Sequence, residues 1–73
     1  MARKSKYVAH PIAKALRQKR IENGILQKQL AWDMGYSPQI LGDWEVGKRV
    51  PRWQSLQNWA QALNCELVVH ERA

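Results

Sequence analysis

The chain has one cysteine and no phenylalanine. A single Cys65 excludes an intrachain disulfide and points to a reducing compartment, the cytoplasm. No apolar run comes near the roughly 20 residues that a membrane-spanning helix needs. The basic start MARKSKYVAHP has no apolar stretch behind it, so neither a spanning segment nor a secretory leader is expected. Acidic residues are scarce, six Asp+Glu against twelve Lys+Arg, which leaves a formal charge of +6. That excess favours a polyanion. Nucleic acid comes before an anionic membrane surface, because the basic residues are not gathered on one face of an amphipathic helix. His10 and His70 have no companions at ligand spacing, so no metal or cofactor is expected. There is no Ser/His/Asp or Cys/His set, no phosphate loop and no carboxylate pair in a plausible pocket, which excludes an enzyme. Repeats, low-complexity segments and long linkers are also missing. At 73 residues the chain makes one small domain. A core of that size is marginal alone, and oligomerisation is a natural source of extra stability.

What is present is helical punctuation and four tryptophans. Pro11 opens a first helix whose inner stripe is Ile12 and Leu16, with Ala13 and Ala15 nearby, and Asn23-Gly24 ends it. The stretch QKQLAWDMGYSPQILGDWE, Gln27 to Glu45, reads as two short helices around a turn at Gly35. Leu30, Ala31 and Met34 form the apolar face of the first, about Gln27–Met34. Ser37 supplies an N-cap oxygen and Pro38 the first helical position of the second, about Pro38–Glu45. Leu41 and Trp44 form its buried side. Gly47 ends it, and Lys48-Arg49-Val50-Pro51-Arg52 makes a basic connector. A fourth helix, about Trp53–Leu63, carries Leu56, Trp59, Ala60 and Leu63 at i, i+3, i+4, i+7. Asn64 closes it in a left-handed conformation.

The two ends differ from this helical middle. Residues 1–10 carry Arg3, Lys4 and Lys6 and little that packs. They form a flexible basic arm, either solvated or reaching DNA backbone or a minor groove. Residues 64–73 include Glu66, Leu67, Val68, Val69 and His70, partly alternating and β-branched, which reads as a strand. A lone strand needs a partner. The economical one is the same strand from a second copy, antiparallel about a two-fold axis. The alternatives are packing on its own helices or pairing with Tyr7-Val8-Ala9.

Between these ends, residues 11–63 resemble the Cro/CI-type (XRE-like) helix-turn-helix family of DNA-binding regulators. The matching residues are Gln27, Leu30-Ala31, Gly35, Ser37, Leu41, Trp44-Glu45 and Gly47-Lys48. The likeness extends back to Arg20 and Gly24 and on through Pro51, Leu56, Ala60 and Leu63. It implies a mostly α, compact four-helix domain, lambda repressor-like, to which the C-terminal strand would add dimerisation. It places Trp44 and Trp59 in the core, and makes Arg20 and Glu45 a salt bridge tying the first helix to the end of the recognition helix. It gives Gln27 a phosphate contact and the task of buttressing the first turn of the recognition helix. Two departures stand out. Leu26 replaces the usual Ser, Thr or Asn cap, a loss of about 1 kcal/mol. Lys19 stands where family members often carry an apolar residue.

The recognition helix offers Pro38, Gln39, Ile40, Gly42 and Asp43 to base edges in the major groove. Gln39 is the best reader, because its amide can bond adenine N6 and N7 together. Asp43 either accepts from cytosine N4 or pairs with Arg49 or Lys48. Pro38 and Ile40 suit a thymine methyl, unless Ile40 turns to the core. Gly42 either allows close approach to DNA or is merely tolerated. Candidate phosphate contacts are Gln27, Lys28, Ser37, Lys48, Arg49 and Arg52. Trp53 is expected below the basic connector and Cys65 as a small buried residue. Trp32 either folds over the first helix, the preferred reading, or marks a partner contact.

The expected function is a sequence-specific transcriptional regulator in the cytoplasm, associated with the nucleoid when bound. It would be a repressor or controller of bacterial or phage type. As a homodimer it would bind double-stranded DNA at a palindromic operator, with half-site centres roughly 34–36 Å apart. The alternative is an antitoxin-like module whose main partner is a second protein and whose DNA binding is autoregulatory.

Overall fold

In a computed structural model, which describes residues 7–67, the chain folds into four helices. They are α1 (Pro11–Glu22), α2 (Gln27–Met34), α3 (Pro38–Val46) and α4 (Trp53–Ala62). The expected order holds, with α3 one residue longer and α4 one residue shorter than the sequence suggests. All four helices stop in the same way. The residue after the last turn is left-handed (Gly24, Gly35, Gly47 or Asn64), and the next N–H reaches back five residues to a carbonyl. The bonds are Ile25 to Arg20, Tyr36 to Ala31, Lys48 to Asp43 and Cys65 to Ala60, at 2.8–3.1 Å. They satisfy carbonyls that a helix end leaves without intrahelical donors.

The helix starts are less uniform. Ser37 caps α3, its Oγ accepting from the Ile40 N–H at 3.3 Å. His10 caps α1 in the same sense, its Nδ1 accepting from the Ile12 N–H at 3.1 Å. Leu26 before α2 and Arg52 before α4 make no side-chain cap bond.

The core lies where α2, α3 and α4 meet and α1 closes over them. Leu30, Leu41 and Trp59 are fully buried at its centre, with Ala13, Leu16, Ala31, Trp44, Leu56, Ala60 and Leu63 around them. Trp44 lies 6.1 Å from Trp59 and takes Tyr36 edge-on at 5.0 Å. With no phenylalanine available, these rings fill the volume between α3 and α4.

Trp32 does not fold over α1; it stands 64% exposed on the outer face of α2. Trp53 is 48% exposed and borders α1 and the tail rather than sitting beneath the connector. Cys65 is half-buried, its thiol donating to the Leu63 carbonyl at 3.5 Å. Within the stretch expected as an arm, Ala9 is buried. Arg3, Lys4 and Lys6 lie outside the described residues. So do Val68, Val69 and His70 of the expected strand. Glu66 and Leu67 are described and are not in a strand, and no strand occurs among the described residues.

Two glycines in and beside α3 serve opposite ends. Gly47 is left-handed (φ 93), and a Cβ there would fall well inside van der Waals contact of the Val8 and Ala9 backbone. Gly42 lies in mid-helix, and its Cβ would meet only the Gln27 amide at 3.4 Å. Gly47→Ala should therefore destabilise the fold by about 1–3 kcal/mol through strain and backbone collision. Gly42→Ala should leave it unchanged or stabilise it by up to about 1 kcal/mol, the helix-interior cost of glycine. Urea denaturation of the two variants checks the contrast.

Candidate nucleic-acid interface

The position of α3 is set at its far end by one buried carboxylate. Glu45 is only 4% exposed. Arg20, from α1, donates to it twice, Nε to Oε2 at 2.8 Å and Nη2 to Oε1 at 3.0 Å. Gln27, at the start of α2, donates its Nε2 to Oε1 at 3.0 Å. The remaining guanidinium nitrogen of Arg20 donates to the Ile25 carbonyl at 2.8 Å. Arg17 stands further off, 3.7 Å away and half exposed. The paired, two-bond geometry is the strong form of an ion pair.

With that end held, the faces of α3 divide. Leu41, Trp44 and Glu45 point inward. Ile40 is half-buried and packs against the core, and Pro38 is half-buried. The Gly42 side of the helix lies against the Gln27 amide, at a distance that a Cβ would meet in ordinary van der Waals contact. Asp43 is turned to the chain rather than away from it. Its side chain is 13% exposed and Oδ2 accepts from Arg49 Nε at 3.0 Å. Its carbonyl accepts from the N–H groups of Gly47, Lys48 and Arg49 at 2.9–3.3 Å. Asp43 thus holds the turn that carries the two basic residues. Within the first two turns of α3, Gln39 is the one exposed side chain.

Around α3 lie the cations. Lys48, Arg49 and Arg52 are all exposed. Arg49 and Arg52 share one recess with Ile40, Tyr36 and Ser55, so the connector sits directly against α3. Tyr36 and Ser55 exchange a hydrogen bond at 3.2 Å, tying the turn before α3 to the first turn of α4. Ser37 is exposed, with its Oγ already engaged as the cap. At the start of α2 the Gln27 amide is engaged with Glu45, in the last turn of α3 rather than the first turn it was expected to buttress. An anion at that end of α2 would meet the first-turn backbone N–H groups, which Leu26 leaves uncapped. Lys28 is exposed beside them, its Nζ 5.9 Å from the Trp32 ring.

Three roles go beyond the reading of the sequence: the His10 cap, the Tyr36–Ser55 bond and the Gln27–Gly42 contact. The first had a local signal, a polar residue immediately before a helix-opening proline. The other two join residues far apart in the chain and carry no periodic signature. Among the described residues no group of three or more His, Cys, Asp or Glu could hold a metal ion, and no helix is long and apolar enough to cross a membrane.

Comparison with known proteins agrees with this geometry. The family described as "Helix-turn-helix" matches residues 16–69. Multiprotein-bridging factor 1 of Candida albicans is 34% identical over 56 residues, 77% of this chain and 37% of that protein. Multiprotein-bridging factor 1b of Arabidopsis thaliana is 36% identical over 56 residues, 77% of this chain and 39% of that protein. Endothelial differentiation-related factor 1 of Homo sapiens is 32% identical over 56 residues, 77% of this chain and 38% of that protein. The matched stretch is therefore under two fifths of the length of these relatives.

The two acids of α3 should differ sharply on truncation. Glu45→Ala strands the mostly buried Arg20 guanidinium and should cost about 3–5 kcal/mol. Asp43→Ala breaks a pair whose Arg49 is largely in solvent and should cost no more than about 1 kcal/mol. Thermal melts of both variants check the order.

Proposed function

We propose, for a chain that belongs to the helix-turn-helix family, that it is the DNA-binding module of a transcription regulator, with α3 in the major groove. One observation carries this reading. Gln39 is the one exposed side chain in the first two turns of α3, and the exposed Lys48, Arg49 and Arg52 follow that helix directly in the chain. Helix width and the donor–acceptor pattern of the groove suit such an element. Gln39 reads a base pair, and Pro38 and Ile40 add apolar contact. Gly42 lets α3 approach closely, and Asp43 contributes by holding the basic turn. Lys28, Ser37, Lys48, Arg49, Arg52 and the Gln27 backbone hold phosphates. Arg3, Lys4 and Lys6 add contacts to the backbone or the minor groove. Two copies on a palindromic operator, blocking a promoter, are the simplest mode of action.

A second reading is favoured by Trp32. An exposed tryptophan is an expensive surface residue and a frequent anchor of protein contacts. Relatives of this chain are named for bridging several proteins. In this reading the domain sits on DNA or beside it and presents α2 to a protein partner.

Selection of bound duplexes from a random pool, followed by titration at several salt concentrations, tests the first reading. Enrichment of one motif supports it. Gln39→Ala should then relax preference at a single position, at a cost of about 1–3 kcal/mol for the preferred base. Arg49→Ala should weaken binding uniformly and lower the salt slope by about 1. Equal binding to every duplex would remove the regulator reading and leave a phosphate-binding surface. Retention of a second protein by the wild type but not by Trp32→Ala would favour the bridging reading.

A further inference from the structure

On the side of the fold made by α1, α4 and the tail, an open apolar groove plays no part in the reading above. Ile12, Ala15, Trp53 and Leu67 line it, and Lys19 and Glu66 flank it. Trp53, the first residue of α4, leaves half its large ring in solvent here. Lys19 makes only a loose, half-exposed pair with Glu22 on its own helix, at 3.9 Å. The Glu66 carboxylate makes no ion pair with any described residue.

We propose that this groove is where a second copy of the chain docks. A contact about a two-fold axis sets a patch against itself, so the patch must complement itself when turned over. This one does. Its rim carries one cation and one anion, on different elements, and neither is strongly paired within the chain. The two-fold brings Lys19 of each copy to Glu66 of the other. Ile12, Ala15, Trp53 and Leu67 of both copies then form the apolar centre. A tryptophan inside such a centre is the side-chain type that carries most interface energy. DNA does not fit the groove, which is mostly apolar and bears a carboxylate. The added burial also suits a chain whose own core is small. This inference rests on the two-copy part of the proposed function, and it assigns that contact to a groove between helices rather than to a paired strand.

Sedimentation of the full 73-residue chain without DNA, over a range of concentrations, tests it. The wild type should dimerise. Ala15→Arg puts a charge on the groove floor at an exposed position. It should keep the helical circular dichroism and raise the dissociation constant by about tenfold or more, roughly 1.4 kcal/mol. Lys19→Glu and Glu66→Lys should each weaken the dimer, and the double exchange should restore it. A monomer at every concentration, including one whose tail fills its own groove, overturns the proposal. A dimer indifferent to Ala15→Arg and to the charge exchange overturns it as well, by placing the contact elsewhere. Because DNA is absent, either failure leaves the major-groove reading standing. That reading fails separately if the chain prefers no half-site over a scrambled one.

Discussion

A carboxylate removed from water costs several kcal/mol unless donors replace the water it loses. Glu45 meets that demand with donors from two other helices, Arg20 of α1 and Gln27 of α2. Arg20 in turn spends its last nitrogen on Ile25, in the turn between them. Four parts of the chain are thus brought to one point by a single charge. The apolar contact of Leu30 with its neighbours would hold α2 near α3, but apolar packing is non-directional. The bidentate bond is directional, and it fixes the angle at which α3 leaves the domain. A helix that is to present a side chain to a base edge needs that rigidity.

Once the far end of α3 is fixed, its composition follows from crowding. Leu41 and Trp44 belong to the core. Gly42 faces the Gln27 amide that reaches Glu45. Asp43 is spent on the turn that follows, taking Arg49 on its carboxylate and three N–H groups on its carbonyl. That pairing partly neutralises Arg49 while fixing where its remaining donors sit. Fixed donors lose less freedom on binding than free ones, so an internal ion pair and a phosphate contact are compatible uses of one arginine. Gln39 is left as the exposed side chain of the first two turns of α3.

The same economy leaves two aromatic surfaces away from α3. Trp32 stands on the outer face of α2, and Trp53 borders the groove beside α1. Neither belongs to the core cluster, and both stand on helices other than α3. Two of the relatives are named multiprotein-bridging factors, and more than half of each relative's length lies outside the matched stretch.

Much of this was legible in the residues themselves. Helix limits are local: Pro11, Ser37-Pro38, Gly35, Gly47 and Asn64 act through their own backbone angles and hydrogen bonds, so the four helices could be placed to within a residue. Apolar spacing identified Leu30, Leu41, Leu56 and Trp59 as core, because periodicity records which face is buried. Trp32 was misjudged for the complementary reason. A tryptophan's size suggests burial, but whether a neighbouring helix lies above it depends on how the helices cross. Asp43 and Gly42 were ambiguous for the same cause, since their partners Arg49 and Gln27 reach them only through the turn geometry and the packing of α2 on α3. The chain by itself determined its helices, their ends and its excess positive charge, all set by short-range chemistry. Only the tertiary structure decided which candidate side chains remain free, because that depends on partners brought together from distant positions around one buried charge.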